Sequence, residues 1–235
     1  MPQDEKTVVK ADEHVEDRIQ IVMVLKGKKI PADLMTRVKV THEFKKNDKH
    51  LLGFVYKHGL VTRVNFDSPF KGNLLTGDVI HLVNGHEVIV REDFKDALKK
   101  LFTKPNEAIK IELGVTRFKT RIPNIKVPPT VTTTPGCTVE GAVLYHYKHI
   151  KLGINMQQVG NRVVINYTNP DTVASASLNI GEVILAVDDK PVTTMEEVKD
   201  RLMEGFHSCG YSKLIVEFPT TDPMKNLLRN QLAVR

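Results

Sequence analysis

Gly77-Asp78-Val79-Ile80-His81-Leu82-Val83-Asn84-Gly85 reads as one β-strand, opened by an acid and closed by a tight-turn dipeptide. The pattern returns 104 residues later as Gly181-Glu182-Val183-Ile184-Leu185-Ala186-Val187-Asp188-Asp189. Glu92-Asp93-Phe94-Lys95-Asp96-Ala97-Leu98 is answered at the same offset of 104 by Glu196-Glu197-Val198-Lys199-Asp200-Arg201-Leu202. Upstream, Leu52-Gly53-Phe54 is answered by Leu152-Gly153-Ile154 at an offset of 100. An internal repeat fixes the architecture, so a unit of about 85 residues occurs twice. The four extra residues of the second copy are expected in a longer hairpin loop between its glycine and its acidic strand.

Around this frame the first copy shows further strands at Val38–Phe44, Gly53–Tyr56, Leu60–Val64 and Ala108–Leu113. A helix starts near Arg91, with Phe94, Ala97, Leu98 and Leu101 on one face. The second copy repeats the plan, with strands at Ala142–Tyr147, Gly153–Gln158, Arg162–Tyr167, Glu182–Val187 and Leu214–Phe218, and a helix from Met195 to about Glu204. Between the copies, Ile122 to Gly136 holds four prolines and four threonines in fifteen residues, which cannot sustain a helix and reads as a semi-stiff linker. Ile19 to Leu25 looks like an additional strand. The tail carries Met224, Leu227, Leu228, Gln231 and Leu232, the pattern of a short amphipathic helix.

Composition narrows the classes. With 41% hydrophobic and 26% charged residues the 235-residue chain is neither disordered nor collagen-like, and 14 Gly and 12 Pro are not excessive. The longest apolar run, Ile21 to Leu25, is far shorter than a bilayer span, and the acidic N-terminus lacks a signal-peptide core. Two cysteines, Cys137 and Cys209, are too few for a disulfide framework and point to a reducing, cytoplasmic setting. The net charge of +6 is spread over interleaved acids and bases, with no aromatic-studded basic strand, so no nucleic-acid partner is expected.

The repeated motifs resemble PDZ domains. The family's carboxylate-binding loop, usually Gly-Leu-Gly-Phe, stands here as Leu51-Leu52-Gly53-Phe54 and Lys151-Leu152-Gly153-Ile154. Asp67-Ser68-Pro69-Phe70 then precedes the Gly-Asp-x-Ile-x-x-Val-Asn-Gly pattern in the first copy, and Asn169-Pro170 with Ala174 and Ala176 occupies that place in the second. The resemblance implies a mixed α+β, mainly β fold: two small, partly open β-barrels, each with one long and one short helix. The expected bounds are 1–34 for an N-terminal extension, 35–121 for a first PDZ-like domain, 122–138 for the linker, 139–220 for a second PDZ-like domain and 221–235 for a tail.

It also implies a function. The strand after each loop is an edge whose free N–H and C=O groups accept an extended peptide as an added strand, and the loop glycine lets N–H groups converge on a terminal carboxylate. The expected peptide-binding residues are Leu51, Leu52, Gly53, Phe54, Val55 and Tyr56 with Arg91, Lys95 and Leu98, and in the second copy Lys151, Leu152, Gly153, Ile154, Asn155 and Met156 with Met195, Lys199 and Leu202. Leu98 and Leu202 close the pocket for the ligand's last side chain or belong to the core. Arg91 and Met195 replace the family's frequent histidine at the first helix position, so the first groove is expected to prefer an acidic or polar ligand residue there and the second an apolar one. Lys95 and Lys199 either favour acidic ligands or snorkel from the helix. The first edge strand is short, ending by Lys57, which points to weak binding or none.

The expected role is a non-catalytic adaptor that binds protein C-termini, with no cofactor and no metal. Asp78 and Glu182 occupy equivalent positions in separate units and read as strand-start anchors, not a catalytic pair. No Gly-x-Ser-x-Gly, His-Glu-x-x-His or phosphate loop is present, and His146, His149, His207 and Cys209 lack a Cys-x-x-Cys partner. The alternative is a membrane-peripheral protein that binds phosphoinositides on an anionic surface through Lys45, Lys46, Lys49, Lys57, His50 and His58.

Overall fold

The computed structural model describes residues 19–25, 28–45, 51–88, 91–103, 108–223 and 225–226, the side chain of Arg91 excepted. These fall into two compact units. The first takes in residues 19–23, 29–118 and 147–149, and the second residues 24–25, 28, 119–146 and those from 150 onward.

The first unit is one antiparallel sheet of β1 (Met35–Phe44), β2 (Phe54–Lys57), β3 (Leu60–Val64), β4 (Val79–Val83), β5 (His86–Glu87) and β6 (Ile109–Phe118), in the order β1-β6-β4-β3-β2 with β5 beside β4. β1 and β6 pair along all ten residues, from Met35–Phe118 to Phe44–Ile109. Helix α1 (Arg91–Leu101) lays Phe94 and Ala97 on a core that includes Phe44, Phe70, Ile80, Val83, Ile111 and Leu113. The helix obeys its sequence logic, with Glu92 and Asp93 in the first turn and Lys99 and Lys100 in the last, each favourable to the helix dipole.

The second unit repeats this order. β7 (Arg121–Ile122), β8 (Cys137–Tyr145), β9 (Ile154–Val159), β10 (Arg162–Thr168), β11 (Val183–Val187), β12 (Lys190–Pro191) and β13 (Tyr211–Pro219) run β7-β8-β13-β11-β10-β9, with β12 beside β11. Its helices are α2 (Val173–Ser177) and α3 (Met195–Cys209). Both sheets are open, with β2 and β9 at their margins; neither closes into a barrel.

Asp78 and Glu182 anchor the strands they precede. Asp78, 1% exposed, accepts from the Leu75 amide and takes a bidentate pair from Arg117, with Nε at 2.8 Å and Nη2 at 2.7 Å. Glu182 does the same for Asn179, and Arg121 pairs with it. The turns after the strands need left-handed backbone, supplied by Asn84 and Gly85 (φ 47° and 79°) and by Asp188 and Asp189 (φ 48° and 62°).

Several expectations change. Residues 19–22 are helical, not a strand: Ile19, Val22 and Met23 are buried at helical spacing, and the Met23 amide bonds to the Ile19 carbonyl at 2.9 Å. Met23 then makes a single antiparallel bridge to Tyr147. The short helix expected in the first unit is absent among the described residues. Residues 66–74 form successive turns, with Gly72 at φ 83° and Ser68 Oγ accepting from the Phe70 amide. In the second unit Thr172 and Ser175 complete a capping box, and α2 forms.

The four extra residues of the second copy lengthen the strands, not the loop. Both hairpins turn in two residues, His58-Gly59 and Gly160-Asn161, while β9 and β10 are each two residues longer than β2 and β3. The segment expected as a linker, 122–138, packs on the second unit instead. Its apolar residues sit between the prolines, so Val131 joins Val164, Val183, Leu185, Ala186 and Ile215, with Ile125 and Val127 beside them. Thr134 fastens its end, donating from N at 2.8 Å and Oγ1 at 2.6 Å to the fully buried carboxylate of Glu217, which Arg162 also neutralises. In the tail, residues 222–223 and 225–226 are helical, whereas Met224, Leu227, Leu228, Gln231 and Leu232 lie outside the described residues.

Candidate functional site

In each unit the edge strand and the long helix are neighbours, and a glycine precedes the strand. Gly53 and Gly153 have φ of 66° and 67°, in the left-handed region where an L-residue is strained. A side chain has no room there either. A Cβ on Gly53 would lie 2.6 Å from the Ser68 Cα, and one on Gly153 would strike Thr172.

Carbonyls of both loops are engaged by the segments that follow β3 and β10. In the second unit the amides of Val173, Ala174 and Asn169 bond to the carbonyls of Lys151, Leu152 and Gly153 at 3.1, 2.9 and 2.8 Å. In the first, Ser68 Oγ donates to the Leu52 carbonyl and the Asn65 amide to that of Gly53, each at 2.8 Å. Among the described residues, the amides of Leu152 and Gly153 have no backbone acceptor. Such converging amides suit an anion.

The predicted residues separate by depth. In the first groove Leu52, Phe54 and Tyr56 are half-buried and pack on the core with Leu98, while Leu51 and Val55 are exposed. Tyr56 stacks on Phe94 at a centroid distance of 4.5 Å and 18°, and Phe54 meets Phe70 and Phe94 edge-on. In the second groove Leu152, Ile154 and Met156 are half-buried, Lys151 and Asn155 exposed, and Leu202 is 3% exposed. Met195, half-buried, opens α3; Lys95 and Lys199 are exposed on their helices. Arg91 opens α1, but its side chain lies outside the described residues. Of the basic set, Lys45, Lys57 and His58 are described, while Lys46, Lys49 and His50 lie outside.

The outer margins of β2 and β9 carry no pairing partner among the described residues. β9 offers the longer margin, running Ile154 to Val159 and held to β10 from Thr168 to Arg162 with a bulge at Asn166. The start of α3 is rigid: Thr194 caps the Glu197 amide at 3.2 Å, and the Glu197 carboxylate accepts from the Thr193 and Thr194 amides at 2.7 and 3.1 Å. Those bonds hold the Glu197 carboxyl below its ordinary range. Sequence reasoning missed Gln158, whose side chain reaches from β9 to this helix start. The available signal was a long polar residue at the end of an edge strand, opposite a Thr-x-x-Glu capping box.

Comparison with known proteins agrees with this geometry for the second unit. Residues 142–205 match the model of the PDZ domain family. Among solved structures, the chain is similar to a complex structure of INAD PDZ45 and NORPA CC-PBM, at 16% identity and TM-score 0.31, over 79% of this chain and 93% of that one. It is also similar to a structure of INAD PDZ45 in complex with NG2 peptide, at 14% identity and TM-score 0.30, over 80% and 89% of the two chains. The search of curated proteins found no match. The second unit of this chain is a PDZ domain, and the first repeats its strand order, its long helix and its glycine loop.

Proposed function

We propose that the chain is a non-catalytic adaptor that binds the C-terminal peptides of partner proteins by strand addition, chiefly through the second groove. The observation that carries this reading is the conjunction of an open β9 margin with Gly153, whose loop has its carbonyls taken by the Asn169, Val173 and Ala174 amides while the amides of Leu152 and Gly153 have no backbone acceptor among the described residues. A peptide laid antiparallel to β9, its carboxylate on the Leu152 and Gly153 amides, completes the ladder and places its last side chain among Leu152, Ile154 and Leu202. Its third-from-last side chain meets Met195, which favours an apolar residue by burial. The first groove, with a shorter edge strand and Arg91 at the helix start, takes an acidic or polar residue there and binds more weakly. Two sites on one chain give avidity for paired or clustered ligands. The free thiols Cys137 and Cys209 suit a cytoplasmic setting.

Display of random C-terminal peptides against the full chain tests this. The expected hits end in an apolar residue, and amidating the carboxylate of each removes most of its affinity. Amidated peptides that bind as well as the free acids would refute a carboxylate loop.

A further inference from the structure

Gln158 sits near the far end of β9 from the glycine loop, and its amide is fully used. Nε2 donates to the carbonyls of Gly160 and Thr193, each at 2.7 Å, and Oε1 accepts from the Met195 amide at 3.1 Å. Two carbonyl acceptors and one N–H donor fix which end of the amide is nitrogen. The Met195 amide is one of the donors a helix start leaves without an intrahelical partner, so Gln158 caps α3 from another element. Thr193 and Thr194 are themselves held by Glu197. The Gln158 side chain thus joins two built elements and spans the groove between them.

Strand geometry says where this matters. A peptide added antiparallel to β9 with its end at Gly153 turns alternate side chains toward α3. The last and third-from-last of these face Leu202 and Met195; the fifth-from-last arrives at the level of Gln158. In the first unit the corresponding residue, counting from Phe54 against Ile154, is His58, which lies in the hairpin turn at φ 51°.

We propose that Gln158 is a specificity-determining strut that ends the second groove, so that it reads two ligand side chains and rejects a bulky third. The proposal rests on the strand-addition reading above. The test uses the full chain and two C-terminal hexapeptides that share their last four residues, apolar at the last and third-from-last, and differ only in Gly or Trp at the fifth from the end. Fluorescence anisotropy is expected to show the Gly peptide binding about tenfold tighter, as one overpacking clash would give. Gln158→Ala should abolish the difference by strengthening the Trp peptide. Gln158→Met keeps the side-chain length but none of the bonds, and should abolish it too; melting curves of both variants check that α3 survives loss of its cap. Equal binding of the two peptides to the unaltered chain, or discrimination that persists in both variants, would overturn the strut. Failure of the Gly peptide to bind at all, or binding unaffected by amidation, would instead remove the strand-addition reading and the strut with it.

Discussion

The two grooves share a plan and differ in what fills them. The first is floored by aromatic residues that pack on one another, Tyr56 flat against Phe94 and Phe54 edge-on to Phe70 and Phe94. The second is floored by Ile154 and Met156, flexible or branched aliphatics beside the buried Leu202, along a margin two residues longer. Both floors are half-buried, but a stacked aromatic floor is held by its ring contacts, whereas an aliphatic floor can repack around a ligand side chain. The helices differ likewise: α3 has fifteen residues and a complete capping box, α1 eleven. Duplicated topology therefore does not mean duplicated side-chain packing.

The largest expected effect strikes both units. Gly53→Ala and Gly153→Ala should each cost about 3 kcal/mol in denaturant unfolding, from left-handed strain plus a clash. The two differ in rescue. The neighbour at Gly53 is the Ser68 Cα, a backbone atom, whereas that at Gly153 is the Thr172 side chain, so adding Thr172→Gly should recover part of the loss in the second unit only.

Next comes the pocket leucine. Leu202→Ala is expected to cost about 3 kcal/mol and Leu98→Ala roughly half that, because Leu202 is buried and Leu98 only partly so. Equal losses in thermal melts would mean the two helices sit alike on their sheets. Giving the first floor the second's residue, Tyr56→Met, should lose about 1 kcal/mol of stacking. The same change should strengthen binding of apolar-ended peptides, measured by titration of the full chain. Unchanged affinity would show that the aromatic floor is not what separates the grooves.

The smallest effect is a pH dependence peculiar to the second unit. The Glu197 carboxyl lies below its ordinary range, held first by the Thr193 amide and then by that of Thr194. A carboxyl with a depressed folded pKa contributes stability that is present above its unfolded value, about 4.3, and lost as pH falls through the folded one. The melting temperature of Glu197→Gln should accordingly lie slightly below that of the unaltered chain at neutral pH and coincide with it in acid. Because the group is exposed, salt should shrink the gap.

Much of this was legible in residue order. The 104-residue offset between Asp78 and Glu182 located matching strands, and the spacing of Phe94, Ala97, Leu98 and Leu101 located a helix whose face is the one that packs. Where reading went astray, the cause was competition that local pattern does not record. Ile19 to Leu25 is apolar enough for either period, and burial at Ile19, Val22 and Met23 chose the helical one. Proline content argued for an extended linker over 122–138 and did exclude helix, yet Val131 and Thr134 found partners in the second sheet across 30 or more residues of sequence, Val131 at Val164 and Thr134 at Glu217. Gln158 was passed over because an exposed glutamine has no signature until its acceptors at Gly160 and Thr193 are in place.

By itself the sequence determined that there are two copies of one unit, where each glycine must bend left-handed, and which helix face is apolar, since these follow from periodicity and from the steric limits of single residues. Only the tertiary structure decided that Tyr56 stacks on Phe94 while Met156 lies half-buried on β9, and that Gln158 spans from strand to helix. Those are contacts between residues far apart in the chain, and their outcome depends on distances that no local pattern encodes.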